Sequence, residues 1–167
     1  MNGENNMKYF NYDKDALNII EKEFETLAKR SNFEYQKDVL KESEYELLKK
    51  QKKKSDLNNA ILKNFNMSDE INIYKFSNES REKVAIIGRQ INDPEVYKVI
   101  FAEGKRTGRV IKTMLSLPIL LLGPIGWIIG GGATLYNVGS FINQGVLNKS
   151  IYDLISNNLE ESKIQRV

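Results

Sequence analysis

Glu70-Ile71-Asn72-Ile73-Tyr74-Lys75-Phe76 is the stretch whose reading decides the fold. Its apolar side chains partly alternate, which is the period of a half-buried strand. Ser68-Asp69-Glu70 in front of it also reads as a helix start. A lone strand with no partner elsewhere in the chain makes no stable sheet. The helical reading is therefore preferred, and with it an all-α protein.

The flanking segments read the same way. From Asp13 to Ser31 the apolar positions are Leu17, Ile20, Phe24 and Leu27, one stripe of an amphipathic helix. Asp13 or Asp15 can cap its start, and Lys29 and Arg30 suit the negative end of its dipole. A second helical stretch runs from about Glu34 to Asn66, carrying Tyr35, Val39, Leu40, Leu47, Leu48, Leu57, Ile61, Leu62 and Phe65. The two can pair as an antiparallel hairpin or serve as one partner of a coiled coil. Val84, Ile87 and Ile91 form a further stripe. Asp93-Pro94-Glu95 then reads as a helix start for Val96, Val99 and Ile100, with a cap, a proline in the first turn and an acid behind it. Ser150-Ile151-Tyr152-Asp153 resembles a capping box and opens a tail helix with Ile151, Leu154, Ile155 and Leu159.

Charge divides the chain of 167 residues into four pieces. Residues 1–47 hold 7 basic and 11 acidic side chains, and residues 48–112 hold 15 and 8. Residues 113–148 hold none, and residues 149–167 hold three of each. Cysteine and histidine are both zero, which excludes disulfides, thiolate chemistry, Ser-His-Asp arrangements and the common zinc sites. The first residues lack the basic start and apolar core of a secretion signal, so a cytoplasmic start is expected.

The uncharged block reads TMLSLPILLLGPIGWIIGGGATLYNVGSFINQGVLN. As a helix, Met114 to Tyr136 would extend about 34 Å, enough for a hydrocarbon core of about 30 Å. Pro118, Pro124 and Gly130-Gly131-Gly132 oppose a straight span. The preferred reading is a hairpin. Val110 to Leu122 enters, Gly123-Pro124 turns, and Ile125 to about Ile142 returns; a kinked single span is the alternative. Gly126 and Gly130 form a GxxxG pair that admits a close helix neighbour. Lys105, Arg106, Arg109 and Lys112 border the block and suit anionic lipid.

The stretch GRVIKTMLSLPILLLGPIGWIIGGGATLYNVGSF, residues 108–141, resembles the C-terminal part of a family of bacterial helical proteins described as ubiquinol–cytochrome c chaperone-like. The resemblance is carried by Gly123, Pro124, Ile125, Gly126 and Trp127. It implies a helical, non-catalytic protein.

Known chemistries fail on spacing. Gly104-Lys105-Arg106 lacks the first glycine of a phosphate loop and the hydroxyl after its lysine. The triple glycine follows no strand of a dinucleotide fold. Glu42, Glu44 and Glu46 point to different helix faces. The run Lys49, Lys50, Lys52, Lys53, Lys54 has no interleaved aromatic for stacking on single strands, so it does not point to nucleic acid.

The sequence thus predicts an all-α protein in four parts: a partly coiled-coil-like helical region at 1–104, a basic collar at 105–112, a hydrophobic hairpin or membrane segment at 113–148, and an amphipathic tail helix at 149–167. The expected role is non-enzymatic, with no cofactor and no metal: a membrane-associated or membrane-inserting protein, with a bilayer-perturbing effector as a subclass, on the cytoplasmic side of the cell membrane. Its N-terminal helices would bind a protein partner or self-associate. Membrane contacts fall to Leu117, Leu121, Gly123, Pro124, Gly126, Trp127, Ile128 and Gly130. Anionic-lipid contacts fall to Lys105, Arg106, Arg109 and Lys112. The alternative is a cytoplasmic helical bundle, adaptor or chaperone-like, with the hairpin as its core.

Overall fold

The computed structural model describes residues 8–52, 56–79, 81–91, 95–105, 133–135 and 145–162. Its centre is an antiparallel sheet. The strands are β1 (Lys8–Asn11), β2 (Glu34–Val39), β3 (Glu70–Ser77), β4 (Arg81–Gln90), β5 (Val96–Lys105) and β6 (Ala133–Leu135). The helices are α1 (Lys14–Arg30), α2 (Glu42–Lys50), α3 (Asp56–Asn64) and α4 (Val146–Asn158). The order across the sheet is β1-β5-β4-β3-β2, and β6 pairs with β5 beyond β1, opposite Ala102 to Gly104.

The all-α reading is therefore overturned, and burial explains why it arose. Ile71 to Ser77, Glu82 to Gly88 and Val96 to Glu103 are buried without interruption, because helices cover both faces of the sheet. A strand buried on both faces reads as a continuous apolar run. Any helical spacing, such as Val84/Ile87/Ile91, can be picked out of such a run. The lone strand at 71–76 has partners on both sides: Tyr74 lies opposite Lys37 of β2 and Ala85 of β4. The helix expected from Glu34 to Asn66 is β2, α2 and α3. The helix expected behind Asp93-Pro94 is β5, and Glu95 accepts from Nε and Nη2 of Arg89 on β4.

Alternation sorts the sheet residues into two cores. On one face Phe10, Tyr74, Phe76, Ala85, Ile87, Tyr97, Val99 and Phe101 pack against Leu17, Ile20, Phe24 and Leu27 of α1 and Ile151 and Ile155 of α4. On the other, Ile71, Ile73, Val84, Ile86, Ile100 and Ala102 pack against Tyr45 and Leu48 of α2 and Ile61 of α3, with Phe65 just beyond it. Each Val, Leu, Ile or Phe side chain among them contributes about 1.5–3 kcal/mol by leaving water. The second core is tight at Gly88, where a Cβ would lie 2.1 Å from the Phe65 ring. Only glycine leaves room for the ring there.

Helix α1 forms where its stripe required, and its ends are specified locally. The Asp13 carboxylate accepts the Ala16 N–H at 3.0 Å, capping the start. At the other end Asn32 adopts φ 59°. The Phe33 N–H then donates to the Ala28 carbonyl at 2.9 Å and the Asn32 N–H to the Lys29 carbonyl at 3.4 Å. That is a Schellman stop, which asparagine tolerates better than most side chains. It reverses the chain and lays β2 along β3.

Among the described residues no helix is long and apolar enough to cross a membrane. The membrane-inserting helical protein is overturned by that finding together with the sheet, and so is the helical bundle built around a hairpin. The core is made by strands and by helices that the sequence reading placed in the separate 1–104 region and in the tail. Leu117, Leu121, Gly123, Pro124, Gly126, Trp127, Ile128 and Gly130 lie outside the described residues, as do Arg106, Arg109 and Lys112.

Candidate protein-binding edge

The sheet has two lateral edges, and the chain treats them differently. Along β5, both β1 and β6 pair with the side facing away from β4. The outer side of β1 is itself covered by Glu160–Ser162. The Asn11 N–H donates to the Glu160 carbonyl at 2.8 Å and the Ser162 N–H to the Tyr9 carbonyl at 2.9 Å. Lys8 adds an ion pair to Glu161 at 3.1 Å.

The other edge is β2. The Leu40 N–H donates to the Ile71 carbonyl at 2.9 Å, one step beyond the Val39–Asn72 pair. In an antiparallel ladder both backbone groups of every second residue point to the neighbour. Glu34, Gln36 and Asp38 therefore face β3, while the N–H and C=O of Tyr35, Lys37 and Val39 face outward. Among the described residues no strand takes them. The Val39 N–H is held by its neighbour's Asp38 carboxylate at 2.8 Å. Among the described residues the groups of Tyr35 and Lys37 are two open rungs.

Behind the edge, β2 is anchored by polar side chains of the α1 face. Glu21 of α1 accepts from Tyr74 Oη at 2.5 Å and pairs with Lys37 Nζ at 2.7 Å, tying three elements at one carboxylate. Burial and the hydrogen bond to Glu21 push the Tyr74 hydroxyl well above its ordinary range. Tyr35 packs its ring 5.3 Å from that of Phe76. Among the described residues its buried hydroxyl has no hydrogen-bond partner, and burial with the nearby Glu21 and Glu25 charges raises its pKa too.

Two further polar clusters sit inside the sheet. Lys75 pairs with Glu82 at 3.3 Å on the α2/α3 face. Lys83 and Arg81 share Glu103 Oε1 on the α1/α4 face, at 3.2 and 2.8 Å. These charges neutralise one another across strands, and neither cluster sets a nucleophile beside a base. Among the described residues no group of three or more side chains could hold a metal ion.

Of the residues expected to touch lipid, Lys105 alone is described. It ends β5 with its backbone opposite Arg81. Lys49 and Lys50 close α2 and are exposed. The Leu17/Ile20/Phe24/Leu27 stripe, expected to meet a partner, is covered by the chain's own sheet. The β2 edge itself went unread, although Tyr35/Lys37/Val39 alternate with Glu34/Gln36/Asp38 directly after the Asn32 break. That period was the available signal. No protein-family model, curated protein or solved structure matches the chain.

Proposed function

We propose that this chain is a non-enzymatic protein-binding module that takes an extended segment of a partner onto β2. The observation that carries the reading is the contrast, among the described residues, between an edge where β1 is backed by Glu160–Ser162 and an edge with open rungs at Tyr35 and Lys37. Strand addition draws affinity from main-chain hydrogen bonds and specificity from alternate side chains. A rigid sheet buried on both faces presents those groups pre-ordered, which lowers the entropy cost of docking.

The test selects binders for the full chain from displayed extended peptides and follows amide exchange in the complexes. Binding at the edge slows exchange of the Tyr35 and Lys37 amides. It is also abolished by Lys37→Pro, which removes an outward N–H and leaves the β2–β3 ladder intact. Binders that leave both amides unchanged overturn the reading.

A further inference from the structure

Resting on that reading, we infer that the segment docking on β2 is cationic, with Lys or Arg at two positions four residues apart. The face of β2 away from α1 carries Glu34, Gln36 and Asp38 in a row. Glu34 is exposed and Asp38 half-buried. Neither has an ion-pair partner among the described residues, whereas Lys37 on the opposite face is already neutralised by Glu21. The strand is therefore unbalanced: two carboxylates without cations on one face, and a satisfied pair with Tyr35 and Val39 on the other. Sequence continues the bias, since Glu42 and Glu44 follow in the first turn of α2.

A strand added beside β2 places its own side chains level with these, alternating between faces. Positions level with Glu34 and Asp38 are four residues apart on one face, and the position between them meets Gln36. The two intervening positions lie beside Tyr35 and Lys37 and suit β-branched side chains. The recognised pattern is thus basic–aliphatic–polar–aliphatic–basic, about 17 Å of extended chain.

Charge opposes the longest self-pairings of β2. Twofold antiparallel pairing centred on Gln36 sets Glu34 against Asp38 twice. Centred on Lys37, it sets Lys37 against Lys37. Like charges directly opposed destabilise a pair of strands. Glu34 and Asp38, which oppose the first of these, are the charges that favour a basic partner.

The experiment titrates the full chain with three peptides of uncharged flanks and cores Lys-Val-Thr-Val-Lys, Thr-Val-Thr-Val-Thr and Glu-Val-Thr-Val-Glu. The lysine peptide is expected to bind roughly tenfold tighter than the threonine peptide, with the glutamate peptide weakest. The preference, though not binding itself, should disappear in Glu34→Gln/Asp38→Asn, where the amide oxygen at 38 can still accept the Val39 N–H. Shifts of the Tyr35 and Lys37 amide resonances in the unaltered chain locate the contact without relying on any variant's folding. Equal affinity for the lysine and threonine peptides overturns the charge inference and leaves the open edge standing. Failure of all three to bind overturns the edge and the inference together. Lysine-peptide binding that shifts neither amide places the cation elsewhere and overturns the inference.

Discussion

The two edges of the sheet are built from similar backbone and end in opposite states. At β1 two outward groups are met by a distant segment: Asn11 N–H by the Glu160 carbonyl, and Tyr9 C=O by the Ser162 N–H. At β2 one outward N–H is met by its neighbour's side chain, and among the described residues two rungs are left open. The closed edge depends on a segment far away in sequence, held beside β1 because Ile151, Ile155 and Leu159 of α4 and its C-cap pack on the same face as α1. The open edge depends on a local device, the Asn32 stop that returns the chain along β3. An edge next to the two ends of the fold can be sealed by the chain itself. An edge reached from the middle of the chain is left to charges for protection, and those charges also decide what it can accept.

The contrast implies a gradient of cost from the shared interior outward. The largest loss is expected in the interior. Glu103→Ala strands Lys83, which is only 5% exposed. That should cost about 3–5 kcal/mol, read as a shifted denaturant midpoint. A loss under 1 kcal/mol would mean that solvent reaches the pair and the centre is no firmer than the edges.

Next comes the anchor behind β2. Tyr74→Phe removes the hydrogen bond to the Glu21 carboxylate, a loss of about 1.5–3 kcal/mol for a bond to a charged acceptor. The hydroxyl's folded-state pKa is raised above its unfolded value of about 10. Its contribution is therefore fully present below about pH 10 and is lost as pH rises above it, because the unfolded chain releases the proton first. Tyr35 and Tyr97, also raised chiefly by burial, act in the same direction. Stability should fall steeply in alkali, and less steeply in Tyr74→Phe. An unchanged alkaline limb would place Tyr74 in solvent.

The smallest of these effects on stability, and the most direct on the contrast, comes from ending the chain at Leu159. Two ladder bonds disappear, about 2 kcal/mol together. The Lys8–Glu161 pair is exposed and adds little. The outer side of β1 then resembles that of β2 without its carboxylates, and concentration-dependent self-association should appear in sedimentation. A monomer of unchanged stability would show that Glu160–Ser162 does not seal the edge.

Some of this was legible in the residues and some was not. The Leu17/Ile20/Phe24/Leu27 stripe and the Asp13 cap mark α1 because one face of that helix is wet. Ile151, Ile155 and Leu159 mark α4 for the same reason, although the helix starts at Val146, inside the uncharged block. The strands were hidden because β3, β4 and β5 have no wet face. Tyr74 and Phe76 serve one core while Ile71 and Ile73 serve the other, so the period of two is filled in. The burial of Lys75, Glu82, Lys83 and Glu103 leaves no mark in the sequence, because their partners sit on neighbouring strands and not at helical spacing along the chain. The edge was legible in Glu34–Val39 alone, but openness is a property of the whole sheet and depends on which other segments fail to pair there.

The central claim is the openness of β2 against the closure of β1. Residue-resolved amide exchange of the full chain tests it in one measurement. The account predicts rapid exchange at the Tyr35 and Lys37 amides and strong protection at Gln36 and Asp38, which face β3, and at Asn11, which donates to Glu160. Protection of Tyr35 and Lys37 to the level of Gln36 and Asp38 would contradict it.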